Sequence, residues 1–220
     1  MAERTKPRTP LSRDRVIDAA LRLVDEGGIE ALSMRKLADE LGVKAMSLYN
    51  HVANKDEVLD GIVDAAMTEI ASPRAGADWK AQVREIAISA YETLLRHPWV
   101  VGLGMRQKPG RGQLRYGDSL LGCFREAGFS KELTYHAYHV IEGYILGYAT
   151  QVLNVRAVDA EQIEDVVARF TRGDFAQEYP HFTEHALQHF EPTPEQEAVN
   201  GYELGLDLIL DGLERLRVGS

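Results

Sequence analysis

Between Ser33 and Val58 the chain reads SMRKLADELGVKAMSLYNHVANKDEV, and one residue in it, Gly42, restricts the possible fold more than any other. Ahead of the glycine, Met34, Leu37, Ala38 and Leu41 recur at the spacing of one helical face, and Ser33 supplies a side-chain oxygen to cap the run. Glycine just after the last periodic residue is the usual helix stop, because it accepts the left-handed backbone that turns the chain away. VKAMSLYN begins at once, with Val43 and Leu48 as its inward residues, and is too short to carry a core of its own. Helix, tight glycine turn and short second helix make the helix-turn-helix pattern.

The flanks extend it. From Ser12, Val16, Ile17, Ala20, Leu23 and Val24 predict a helix of about four turns that Gly27 and Gly28 end. Asn54, with Glu57 three residues on, has the capping-box spacing and opens a helix through Val58, Ile62, Val63, Ala66 and Ile70. Later segments keep the helical period. One starts at Trp79 and stops before Pro98, another follows a glycine-rich stretch at 101–113 read as a loop, and a third is capped by Ser130. QIEDVVARFT predicts a further helix, broken by RGDFAQEYP, and the last run is expected to start at Thr193, with Pro194 in its first turn and Gln196 closing a capping box. No segment alternates with period two over a useful length. The fold class is therefore all-α: an N-terminal three-helix helix-turn-helix domain and a larger C-terminal helical body. The expected divisions are 1–11 as a disordered basic arm with Arg4, Lys6 and Arg8, then 12–71 including the connecting helix, then 72–220.

Charge narrows the partners. The net charge is −9, but residues 1–55 hold ten Lys and Arg against eight Asp and Glu, while 56–220 hold fifteen against twenty-six. An acidic body repels phosphates, so any contact with nucleic acid must be confined to the mildly basic head. No apolar run suits a membrane span and the first ten residues lack a secretory signal, which points to the cytoplasm. Cys123 is the single cysteine, so no internal disulfide forms; it reads as a small buried apolar residue.

In a helix-turn-helix the second helix enters the major groove with its exposed N-terminal residues toward the bases. Here those are Lys44, Ala45, Met46, Ser47, Tyr49 and Asn50. Ala45 and Met46 suit thymine methyls, Lys44 suits guanine O6 and N7 or a phosphate, and Ser47, Tyr49 and His51 suit phosphate oxygens. Arg35 and Lys55 frame the groove from the neighbouring helices. The bland alternative is a helical hairpin with a solvated face.

ALSMRKLADELGVKAMSLYNHVANKDEVLDGI closely resembles the DNA-binding domain of the tetracycline-repressor (TetR) family of bacterial transcription regulators, over about residues 12–60, through its LGV turn, SLYNHV segment and NKDEVLD helix start. FEPTPEQEAVNGYELGLDLILDGLERL extends the likeness to the C-terminal domain of the tetracycline-repressor branch. The resemblance implies a homodimer on a palindromic operator, released when a helical body binds a small organic effector. It gives DNA-contact roles to Arg35, Ser47, Tyr49, His51 and Lys55. It also implies that Gly102 and Ala71 stand where that branch carries two drug-contacting histidines, one of them a magnesium ligand, so a magnesium–tetracycline effector is not expected.

The body's aromatic and apolar residues Trp99, Met105, Phe124, Tyr135, Tyr138 and Tyr144, with His136, His139 and Gln113 as polar anchors, are the candidates for touching an effector, although many such residues are simply core. His181, His185 and His189 share one helical face by their four-residue step; zinc is one reading, and a polar face near the pocket or the partner subunit the blander one. Pro180 is expected to interrupt the helix that a Glu178–His181 metal pair would need. No cofactor and no metal are expected, and no serine or cysteine nucleophile has a locatable base. Tyr202, Leu206, Ile209, Leu213 and Leu216 step by four, three, four and three, a seam for helix packing that serves either the core or, as the resemblance implies, a dimer interface. Gly143 and Gly147 allow close helix approach. The competing reading is an all-α small-molecule carrier or enzyme with a head that only looks like a DNA reader.

Overall fold

A computed structural model describes residues 10–74, 76–103, 108–171, 175–190 and 200–219. Among these the chain is helical throughout, with no strand. It divides into two compact units, Met1–Ala127 and Gly128–Ser220.

The first unit opens with α1 (Arg13–Gly27), whose first turn is capped by the Ser12 hydroxyl accepting from the Arg15 N–H at 3.3 Å. Gly28 ends it at φ +72° and leads through a 3₁₀ turn (Ile29–Ala31) to α2 (Met34–Leu41), capped by Ser33. Gly42 lies in the left-handed region at φ +63°; its N–H donates to Asp39 O and that of Val43 to Ala38 O. Those two bonds make a Schellman motif, satisfying carbonyls at the helix end while redirecting the chain.

Next comes α3 (Ala45–Leu48), a single turn extended by the Val52 N–H bonding Leu48 O at 3.0 Å. So short a helix has little stability alone. Leu48 and Val52 hold it by burial in a cluster with Val16, Ala20, Leu37, Val58 and Ile62. SLYNHV is thus helical only to Leu48, and Tyr49, Asn50 and His51 occupy the following turn. In α4 (Lys55–Thr68) the Asn54 side chain accepts from the Glu57 N–H at 2.8 Å, and the Glu57 carboxylate returns to the Ala53 N–H at 2.7 Å. The expected capping box is therefore closed one residue earlier than its usual partner.

The remaining helices of this unit are α5 (Trp79–Arg96), α6 (Trp99–Leu103) and α7 (Arg111–Glu126). Two departures from the 101–113 loop expectation appear here. A short helix covers 99–103, because Pro98 is compatible with a helix start and Val100 is buried. At the other end, α7 begins at Arg111, with the Gln113 side chain accepting from the Gly110 N–H at 3.2 Å. The glycines follow from the contact of α7 with α4. A Cβ on Gly112 would lie 2.5 Å from the Asp64 carbonyl oxygen and 2.6 Å from the Thr68 hydroxyl. The Gly112 N–H donates to the Asp64 carboxylate, and Arg115 donates to the carbonyls of Thr68 and Ile70. This seam puts the head and the first body helices in one compact unit, so the contact-defined boundary at 127/128 differs from the expected functional division at 71/72.

In the second unit, α8 (Lys131–Arg156) starts at the Ser130 cap and is followed by α9 (Ala160–Thr171), α10 (Phe175–Glu178), α11 (Pro180–Phe190) and α12 (Gly201–Val218). Pro180 opens α11 instead of interrupting a helix, as its fixed φ and missing N–H suit a first position. Thr193 and Pro194 lie outside the described residues, but α12 begins only at Gly201, where Asn200 in extended conformation caps the Glu203 N–H. Against α12, the Tyr144 hydroxyl donates to Tyr202 O at 2.8 Å and its ring stacks on Tyr202 at 5.3 Å. Gly201 and Gly205 give the hydroxyls of Tyr148 and Tyr144 room.

Candidate nucleic-acid interface and effector region

The buried side of the reading head is apolar and its outer side is not. Arg35, Lys44, Tyr49, Asn50 and Lys55 are exposed, and Met46 is 75% exposed, the highest value among the exposed large hydrophobics. An apolar side chain standing that far into water from a one-turn helix contributes nothing to the core. Ala45 and Ser47 are half-buried, as is His51, so these present less surface than an outward-facing assignment implies. Ala45 packs against the head's core cluster. Arg35, Lys44 and Lys55 make no ion pair with another described residue, leaving three cations on α2, at the start of α3 and at the start of α4 uncommitted. The acidic Glu57 beside them is committed elsewhere: it receives Ala53 N–H and pairs with Arg13 at 3.3 Å. The Ala53 bond first, and Arg13 second, hold its carboxyl below the usual glutamate range against the opposing effect of burial.

Where the head meets α5 and α6, a polar cluster forms that sequence reading did not find. His97, the residue after α5 and only 3% exposed, sets its Nδ1 2.7 Å from Asp25 Oδ1 and its Nε2 3.4 Å from Glu69 Oε2. The second contact lacks hydrogen-bond geometry and is a loose electrostatic one, so Nε2 has no hydrogen-bond partner among the described residues. Trp99 Nε1 donates to the same Asp25 oxygen at 2.8 Å, and Arg96 pairs with Glu69. Asp25 belongs to α1, and Glu69 follows α4. One buried imidazole therefore ties both to the end of α5. Residues 25 and 97 are 72 positions apart, and no local pattern signals such a pairing.

The other effector candidates lie in both units, each with its own neighbours. Trp99 is engaged by Asp25, and Gln113 caps α7. Phe124 is fully buried against Trp79, with ring centroids 6.0 Å apart, while Tyr138 is half-buried, with burial first and Glu142 second pushing its phenol up. Tyr135, His136 and His139 are exposed on α8, Tyr144 packs on α12, and Met105 lies outside the described residues. Gly102 sits in α6 with open space around its Cα, and the Ala71 N–H donates to Ser89. Cys123 is buried, and burial raises its thiol's pKa, with Glu126 adding to the effect. The face formed by His181, His185 and His189 on α11 is exposed, and among the described residues no group of three or more His, Cys, Asp or Glu is disposed to hold a metal.

Most of the α12 seam packs into its own chain. Tyr202, Leu206 and Leu213 are buried within a single chain, because their side of α12 faces inward, and Ile209 is half-buried. The large apolar side chains that α12 exposes are Leu204, Leu208, Leu216 and Val218, so of the five seam residues only Leu216 remains outward. On α8, Gly143 and Gly147 are exposed, with nothing within 4 Å of an added Cβ, and Val140 and Leu146 are exposed beside them. No described helix is long and apolar enough to cross a membrane.

Comparison with known proteins agrees with this geometry. Residues 16–62 match the family described as bacterial regulatory proteins, tetR family, and residues 72–217 the tetracyclin repressor-like C-terminal domain. An HTH-type transcriptional regulator of Saccharopolyspora erythraea is 36% identical over 146 residues, 66% of this chain and 61% of that relative. The class A tetracycline repressor of Escherichia coli is 32% identical over 215 residues, covering 96% of this chain and 94% of the repressor. Among solved structures, the Streptomyces coelicolor protein ActR in complex with actinorhodin superposes with a TM-score of 0.75 at 26% identity, over 95% of this chain and 99% of that one.

Proposed function

The chain belongs to the TetR family of bacterial transcription regulators, and on that premise we propose that it is a repressor which binds a palindromic operator as a homodimer and leaves it when a small organic effector binds. The observation that carries the DNA-binding part is the combination on the head of an exposed Met46 with three cations, Arg35, Lys44 and Lys55, that have no acidic partner among the described residues. In an otherwise acidic chain, such cations suit phosphates, and an exposed thioether at the start of a groove-entering helix suits a thymine methyl. Ala45, Ser47, Tyr49 and His51 complete the contact surface. Residues 12–71 act as the reading domain, with the basic arm 1–11 ahead of it, and 72–220 take the effector and dimerise. The cytoplasm is the compartment in which such a regulator works, and no catalytic step is part of its action.

Dimerisation is proposed through the outward residues Leu204, Leu208 and Leu216 of α12 with Gly143 and Gly147 of α8. Large apolar side chains beside exposed glycines favour close helix packing by a second copy. The effector is proposed to be largely apolar or aromatic and bound without magnesium, because Gly102 and Ala71 offer no ligand atoms. Trp99, Met105, Gln113, Phe124, Tyr135, His136, His139 and Tyr144 remain its candidate contacts. For release, the effector must favour a state in which the two heads no longer match the groove spacing. The cluster of Asp25, Glu69, His97 and Trp99 is a physical link by which a shift of α5 or α6 reaches α1 and α4. Selection of bound duplexes from a random pool tests the reading. A palindrome whose half-sites lie about 34 Å apart, or a multiple, is expected; recovery of duplexes without two-fold symmetry would defeat it.

A further inference from the structure

Residues 128–220 contain sixteen Asp and Glu against six Lys and Arg. Yet one cavity of about 590 Å³ in this unit, between the C-terminal half of α8 and α11, has no acidic residue among the described residues of its lining. Arg156, His185 and His189 line it instead, together with the side-chain amides of Gln151 and Asn154. Half-buried Val152 and Val155 add apolar surface. Arg156 is exposed and makes no ion pair with a described residue. The two imidazoles follow one another on α11, with ring centroids 6.3 Å apart and planes 28° apart.

We propose that this cavity binds an aromatic or polycyclic molecule carrying an anionic group, a carboxylate, sulfonate or acidic phenol. The volume suits a ligand of two to four rings, within the range of about 300–1,000 Å³ usual for small-molecule sites. Arg156 presents a planar fork of N–H donors that fits an oxyanion, the His185 imidazole adds an N–H donor, and the amides can orient it. The valines and the flat imidazole faces take the rings. Among the described residues of this lining every charged or titratable group other than Tyr148 is an arginine or a histidine, a charge arrangement that suits an anionic ligand. This inference rests on the reading that residues 72–220 take an effector; the described lining of the cavity includes none of the candidate contacts named above, so it assigns the effector a different site and gives its class a charge.

The probe is 8-anilinonaphthalene-1-sulfonate, with N-phenyl-1-naphthylamine as the neutral molecule of the same ring system. Both are titrated by fluorescence into the full chain, into Arg156→Gln and into the double variant His185→Gln/His189→Gln, each checked for native circular dichroism. The sulfonate is expected to bind each variant about fivefold more weakly than wild type, corresponding to the upper end of an exposed ion pair, while the neutral amine is unchanged. Equal affinity of the sulfonate for all three proteins would overturn the proposal, and so would a matching loss for the neutral amine, which would indicate a damaged apolar surface. Release of operator DNA by the sulfonate is measured separately. Charge-dependent binding without release supports the site and counts only against the effector reading.

Discussion

Replacing Gly112 by Ala should destabilise the protein, although alanine is the better helix former. The added Cβ would sit 2.5 Å from the Asp64 carbonyl oxygen, a backbone atom that moves only if α4 moves, and 2.6 Å from the Thr68 hydroxyl. Relief requires α7 to back away from α4, weakening the bond from the Gly112 N–H to the Asp64 carboxylate. Overpacking of this kind costs about 1–3 kcal/mol, and loss of a hydrogen bond to a charged group adds up to about 1.5–3 kcal/mol. Because the shift relieves part of the clash as it breaks the bond, the two do not add fully, and about 2–4 kcal/mol is expected. Gly122, in the same helix, has nothing within 4 Å of a built Cβ. Gly122→Ala should therefore stabilise by about 0.5–1 kcal/mol, the ordinary helical preference. Urea unfolding followed by circular dichroism, at one protein concentration because dimerisation would couple to stability, compares the two. A Gly112→Ala variant as stable as Gly122→Ala would refute the reasoning.

Leu208→Glu and Leu204→Glu, at sites 64% and 54% exposed, should give folded monomers by sedimentation, whereas Leu206→Glu, at 0% exposed, should fail to fold; intact dimers in the first two would move the interface elsewhere. Glu57→Gln should lower stability by a few tenths of a kcal/mol at neutral pH, a small effect because the side chain is largely solvent-screened. Since the folded-state pKa of Glu57 is depressed, its stabilisation is present above the unfolded value and lost as pH falls through the folded one, so the variant and wild type should converge in acid. Tetracycline should leave the operator complex intact with or without magnesium, as followed by anisotropy; magnesium-dependent release at about 1 μM drug, about −8 kcal/mol of binding, would restore the metal-dependent chemistry.

The helix-turn-helix was legible because its determinants are local: Ser33, Gly42 and Asn54 each act within five residues of themselves, and the spacing of Leu37, Leu48 and Val58 fixes the buried side. Local signals misled where tertiary contacts outweighed propensity. Trp99–Leu103 is helical despite its glycine because Val100 is buried and the Trp99 indole is bonded to Asp25. Heptad spacing alone could not tell which side of α12 faces its own chain, so Leu206 and Leu213 were compatible with core or interface, and Leu204 and Leu208 lay off the seam. The His97 cluster and the seam between Asp64 and Gly112 join residues 72 and 48 positions apart, and nothing in the neighbouring sequence marks either partner.

Sequence-specific reading by α3 is tested most directly by fluorescence anisotropy of the selected palindrome and of a scrambled duplex of equal length, at one fixed salt concentration, with wild type and Met46→Ala/Tyr49→Ala. Wild type should prefer the palindrome by about 10³ or more. The variant should lose only the Tyr49 phosphate contact's share of its affinity for scrambled DNA, the rest of which depends on Arg35, Lys44 and Lys55, and lose most of the preference. Equal preference in wild type and variant, or none in wild type, would contradict the assignment of α3 as the reading helix.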